Sequence, residues 1–292
     1  MLTHHWHTTL GDAVAVAKQQ GRPILSLRLL GRLDEELSCA NSRFFRTTLY
    51  PDARVSRMLA ERFVLHWQSV RPVPIITIDF GDGRTFQRTI TGNSAHLILD
   101  PLGHPVDALP GLFDAPTFVR LASAAADLAT ADPTPPRLVA WHRARRESLV
   151  RAWGAEVGLH TEDVRRLEAV CNDATWAQLA AARASTSLPS DLGQITSRFP
   201  SAREAGALAV TKMMVERPLL DLVDRLRPLA LSLAEDTVRN EYLLHRRVHE
   251  RFLANPDSDA DALTDWIYEA LFLMPPDDPW LGLNPAAFAA LG

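Results

Sequence analysis

Apolar positions recur at helical spacing from Leu10 to Gln20, with Ala13, Val14 and Ala17 on one face, and Gly21 and Pro23 end the run as a helix stop should. Ile24 to Leu30 follows as a short apolar stretch interrupted by Ser26 and Arg28, the pattern of a strand. Gly31 to Ser38 is polar and acidic, carrying Asp34, Glu35 and Glu36, and Ser38 is placed to cap a helix opening at Cys39. Two helical pieces then reach Tyr50 and, past Pro51-Asp52, the spacing of Val55, Met58 and Leu59. Strands are expected at Phe63 to Trp67, Ile75 to Phe80, Thr85 to Ile90, His96 to Leu99 and His104 to Leu109. Gly81-Asp82-Gly83 suits a hairpin turn, Asp100-Pro101-Leu102-Gly103 a second turn, and Ala115 to Leu128 closes the unit as a helix.

Beyond Thr130 to Pro136, a stretch dense in Pro, Thr and Asp, strand signals almost vanish. The spacing predicts helices over Leu138 to Val157, Thr161 to Asn172, Thr175 to Ala184, Ala202 to Glu216, Leu219 to Leu226, Pro228 to Ala254 and Ala260 to Leu273. The fold class is therefore α/β plus all-α: a mixed-sheet domain over 1–129, a linker over 130–136 and an irregular α-helical bundle over 137–292. The tail from Phe272 to Leu283 is broken by prolines, and its Trp280 and leucines are expected to pack across the rest of the chain.

Composition narrows the partners. A hydrophobic content of 47% against 23% charged residues is that of a globular chain, and the net charge of −4 supplies no basic field for nucleic acid or an anionic membrane. Met1 to His7 lacks the pattern of a secretory signal and no segment has the apolar length to cross a bilayer, so a cytoplasmic location is expected. The two cysteines, Cys39 and Cys171, are too few and too distant for a disulfide scaffold. Cys171, beside Val170 and Leu167, reads as a core residue.

Cys39-Ala40-Asn41-Ser42 concentrates the candidate chemistry. A cysteine in the first turn of a helix meets unpaired backbone N–H groups and the positive end of the dipole, which favour a thiolate, and Arg43 and Arg46 add positive charge. The acidic residues just upstream oppose it. The order of elements, the basic-Pro-aliphatic strand entry Arg22-Pro23-Ile24-Leu25 and the Leu97-Ile98-Leu99-Asp100-Pro101-Leu102-Gly103 strand and turn resemble the thioredoxin-like superfamily over roughly the first 128 residues. The resemblance implies a thioredoxin-like domain in which Cys39 stands at the nucleophile and Ser42 at the resolving position, a monothiol variant. Ala95 falls where the family usually keeps a cis-proline, so Ser94 and Ala95 would form the substrate-binding loop.

On that basis Cys39 is expected as nucleophile, Ser38 and Ser42 as hydrogen-bond donors, and Asn41 and Arg43 as tuning groups. The chemistry would be mixed disulfides or thiol-dependent binding, with a protein or a thiol-containing small molecule such as glutathione as partner and no resident cofactor. A function of another class stands beside it: a non-catalytic scaffold in which the thioredoxin-like fold is a binding module and the helices supply the contact surface. Two further clusters carry ligand-type residues. The imidazoles of His4, His5 and His7 are read as solvated. Glu241, His245 and His249, each four apart, share a helix face and could hold a metal. With four arginines nearby, they are read instead as a polar network holding the bundle together, with no metal expected.

Overall fold

The computed structural model describes residues 4–89, 92–156, 233–234 and 236–281. Helix α1 (Leu10–Gln20) starts at Thr9, whose hydroxyl accepts from the Asp12 N–H, and stops at Gly21 in the left-handed region. Strand β1 (Ile24–Leu30) is buried along its whole length, as befits a strand with neighbours on both sides and helices on both faces. Helix α2 (Ala40–Phe44) runs on as a π-helical turn over Phe45–Leu49, and α3 (Ala53–Arg62) is capped by Asp52. Strand β2 (Val64–Arg71), the hairpin of β3 (Ile75–Asp79) and β4 (Thr85–Thr89), β5 (Ser94–Leu99), β6 (Pro105–Pro110) and helix α4 (Ala115–Thr130) complete the first part.

The main sheet has the order β2-β1-β5-β6, with β1 parallel to β2 and antiparallel to β5, and β5 antiparallel to β6. Strands β3 and β4 pair only with each other. Because side chains alternate along a strand, the register assigns faces. His96 packs edge-on against Phe118 of α4, and Ile98 and its partner Asp107 lie on that same face. Ser26 with His66, and Arg28 with Gln68, form cross-strand pairs on the opposite face, each joined by a side-chain hydrogen bond.

After α4 come α5 (Pro135–Glu156), a π-helical turn over Asn240–His245 that leads into α6 (Arg246–Ala254), and α7 (Ala260–Trp266) with its own π-helical end over Ile267–Leu271. Helix α6 packs on α5, while the turn before it lies on the edge strand β6. Helix α7 sits over β5, where Asp261 pairs with the buried Arg28 at 3.3 Å. The late helices thus share one apolar core with the sheet: Val248, Phe252, Leu263, Ile267 and Tyr268 join Leu97, Leu109 and Phe118.

Among the described residues, the strands and helices expected from the pattern appear within a few residues of their expected ends. Three details differ. Cys39, rather than Ser38, caps α2, its sulfur accepting from the Ser42 N–H at 3.4 Å. The long helix expected over Pro228 to Ala254 is described only in its later part, where a π-helical turn interrupts it. The tail packs in part: Arg71 donates to the carbonyls of Pro276 and Asp278 and Leu281 is buried, but Trp280 stays exposed. The four helices expected between Thr161 and Leu226, and Cys171 with them, lie outside the described residues. No helix among the described residues is long and apolar enough to cross a membrane.

Candidate functional site

Two places gather the residues with chemistry, one beneath a covering loop and one in the wall of a cavity. The first is Cys39. Its backbone N–H reaches the Leu30 carbonyl at the end of β1, which fixes the cysteine where the loop turns into α2. The sulfur lies 3.4 Å from the Ser94 hydroxyl at the start of β5. The start of β5 therefore faces the cysteine, and no cis peptide bond occurs among the described residues. Ala95 is buried in the sheet opposite Pro110 and takes no part.

Cys39 is 0% exposed. Gly92, at φ +145°, presses directly on it, and a methyl group at that position would overlap the Cys39 Cβ. Hydrogen bonds hold this cover down. Asn41 donates to the Asn93 side chain at 2.7 Å, and the Tyr268 hydroxyl donates to the Asn93 carbonyl at 2.8 Å. The Thr89 hydroxyl donates to the Ser38 carbonyl at 3.3 Å.

Ser42 presents its N–H to the sulfur, but its hydroxyl donates to Ser38 at 2.6 Å, and Arg46 donates to that same Ser38 oxygen. The two serine hydroxyls expected to serve the thiol thus serve each other. Arg43 and Arg46 are within electrostatic reach of the sulfur. Burial is the main cause lowering both of their pKa values, helped by Arg88 next to Arg43 and by Arg43 next to Arg46. The acidic loop is occupied with Arg32, which holds Asp34 at 2.7 Å and Glu35 at 3.1 Å, and the bond to Arg32 is the main cause lowering the Asp34 carboxyl.

The second place is the buried group Asp107, His142, His245 and His249, contributed by β6, α5, the last residue of the π-helical turn and α6. His245 Nε2 lies 2.9 and 3.0 Å from the two Asp107 oxygens, and His249 Nδ1 lies 4.0 Å from the nearer one. His142 Nδ1 is 2.9 Å from His249 Nδ1 and its ring stacks on Phe252. Burial depresses the pKa of His142 to about 4 and that of His249 well below its ordinary value, so both imidazoles are neutral.

Asp107, His245 and His249 form part of the wall of a cavity of about 270 Å³ that Leu121, Trp141, Tyr242 and neighbouring residues also line. Arg145 lies over the Trp141 ring, and Arg120 pairs with Glu241 at 2.6 Å, all four lining the same space. Of the spaced trio Glu241, His245 and His249, the structure therefore brings only the two histidines onto the buried centre. Glu241 is engaged by Arg120, and the carboxylate beside the imidazoles is Asp107, from a strand more than a hundred residues earlier. Sequence reasoning missed Asp107 and His142. The one available signal was an acidic residue inside the apolar run Pro105 to Leu109, a place where a carboxylate needs a partner.

Of the N-terminal imidazoles, His4 bonds to Ser56, while the rings of His5 and His7 meet edge to face with centroids 4.7 Å apart and the backbone of His7 bridges to His66 on β2. Trp6 packs against Tyr50. Set against known protein families, characterised proteins and solved structures, the chain finds no match in any of the three.

Proposed function

We propose that this chain is a thioredoxin-like scaffold whose thiol position is closed, and that it acts as a non-redox binding protein through the cavity between β6, α4, α5 and the turn before α6. The strand order β2-β1-β5-β6, with its one parallel and two antiparallel pairings, supports the thioredoxin-like reading, because that core places a helix-capping cysteine after its first strand and a substrate loop before its third. The observation that carries the functional reading is the cavity. The Cys39 side chain is buried beneath the loop of Gly92, Asn93 and Ser94, whereas Asp107, His245 and His249, equally buried, form part of the wall of a space large enough for a small ligand. A monothiol oxidoreductase must present its sulfur to a disulfide in line. Here the approach is filled by Gly92, Asn93 and Ser94, and Tyr268 from the late helices fastens them.

The test is the alkylation rate of Cys39 in the native full chain, followed by mass spectrometry of the Cys39 peptide so that Cys171 is scored separately. Cys39 is expected to react about a hundredfold more slowly than a free cysteine, since reaction waits on local opening. A rate equal to or above that of free cysteine would overturn the closed-thiol reading in favour of a monothiol oxidoreductase.

A further inference from the structure

We infer that Asp107, His245 and His249 form a binding site for one divalent first-row transition-metal ion, with the cavity side of the ion left for a further ligand. The inference rests on the reading that places function in this cavity and supplies what that cavity binds. Three observations converge on it.

The first is the donor set. One carboxylate and two imidazoles are the oxygen and nitrogen ligands that zinc, cobalt and iron(II) accept, and three protein ligands beside an open space is the arrangement of a site that keeps a coordination position free. The donor atoms already lie within 4.8 Å of one another. Ligands around such an ion stand about 3 to 3.5 Å apart, as bonds of about 2.0 to 2.2 Å require. Small side-chain rotations close the difference.

The second is electrostatic. Asp107 is fully buried, and among the described residues its hydrogen bonds are to the Ala108 N–H and to His245, with no arginine or lysine paired to it. A buried carboxylate loses its hydration and is costly unless positive charge is brought to it. A divalent ion brings that charge to the carboxylate and binds both imidazoles at once. Coordination needs His245 to present Nε2 without a proton, as the tautomer protonated on Nδ1, and the contact with Asp107 is then replaced by a bond from each residue to the ion.

The third is the support behind the ligands. The π-helical turn over Asn240–His245 shifts the helical phase by one residue, and such turns often mark functional sites. The Asn240 side chain ties the turn to the segment just after β6 by donating to the Leu112 carbonyl at 2.8 Å. His142 Nδ1 lies 2.9 Å from His249 Nδ1, the same nitrogen that is 4.0 Å from Asp107, so this contact gives way when His249 binds the ion.

The experiment is a titration of the full-length, untagged, chelator-treated protein with cobalt(II), read by visible absorption, with zinc(II) as competitor. One equivalent of cobalt is expected to bind, to give the absorption of a four- or five-coordinate ion without a thiolate charge-transfer band, and to be displaced by zinc. Asp107→Asn and His249→Ala should each weaken binding by about a hundredfold or more, while Cys39→Ser should leave it unchanged. Absence of stoichiometric binding to wild-type protein that circular dichroism shows to be folded would overturn the inference, whatever the variants do. So would binding lost in a His4→Ala/His5→Ala variant, which would put the ion on the N-terminal imidazoles. Either result leaves the Cys39 alkylation rate, and the reading it tests, untouched; rapid alkylation with cobalt binding intact would remove the closed-thiol reading alone.

Discussion

Single positions show how tightly the cavity is tied to the sheet. Gly111 follows β6 at φ +84°, and a methyl group there would overlap the side-chain amide of Asn240, the first residue of the turn that ends at His245. Gly111→Ala is expected to destabilise the protein by about 2 kcal/mol through backbone strain and crowding, and also to weaken cobalt binding, because Asn240 must move. Chemical denaturation and the cobalt titration read the two effects separately; an unchanged affinity would mean that Asn240 does not position the turn. This residue-level coupling was invisible in the chain itself. Gly111 could be read as a turn, but the partner that fills the space beside it stands far away along the sequence. The same holds for Asp107, whose apolar surroundings announce a buried strand and whose imidazole neighbours come from α5, α6 and the π-helical turn. Cys39 was legible in the opposite sense. Its local motif located the start of α2 to within one residue, the cap being Cys39 where Ser38 was expected, while the burial of its sulfur depends on Gly92 and on Tyr268, which no local pattern reports.

Among the elements, the strands and helices of the first part follow from periodicity because each has its own apolar face and its own punctuation: Gly21 after α1, Asp52 before α3, Asp114 before α4. The π-helical turns do not announce themselves, because the shift of phase each one makes is local and the apolar residues on either side of it still recur three or four apart. One of them, Ile267–Leu271, carries Tyr268 onto the cover of Cys39. Tyr268→Phe removes the hydrogen bond to the Asn93 carbonyl and keeps the ring. A loss of about 1 kcal/mol from the closed state predicts alkylation of Cys39 about fivefold faster than in wild type. Tyr268→Phe with a wild-type rate would show that α7 does not hold the cover shut. Substituting Asn93 would be less informative, because its side chain also accepts from the Ser94 N–H and from Asn41.

Across the whole molecule, buried imidazoles set the response to acid. His66, bonded to Ser26 at the centre of the sheet, has its pKa pushed down to about 4, mainly by burial and further by Arg28. His96, fully buried against Tyr50, Phe45 and Phe118, is pushed down to about 3 by burial. Both titrate near 6.5 in the unfolded chain, so the unfolded state takes up protons first as the pH falls. The stability they allow is fully present above about pH 6.5 and drains away as the pH drops towards their folded values. Between pH 6.5 and 5 each histidine should cost about 2 kcal/mol, which urea denaturation at the two pH values measures directly. A midpoint that does not move would show that these imidazoles are not held neutral in the folded protein. Asp107 and His245 are 138 positions apart, and an ion held between them would act as a clasp, closing a loop that spans nearly half the chain. Loading would then slow proteolysis of the segment between them and raise the melting temperature with ion concentration, so that the cavity's occupancy could be followed without any knowledge of what else enters it.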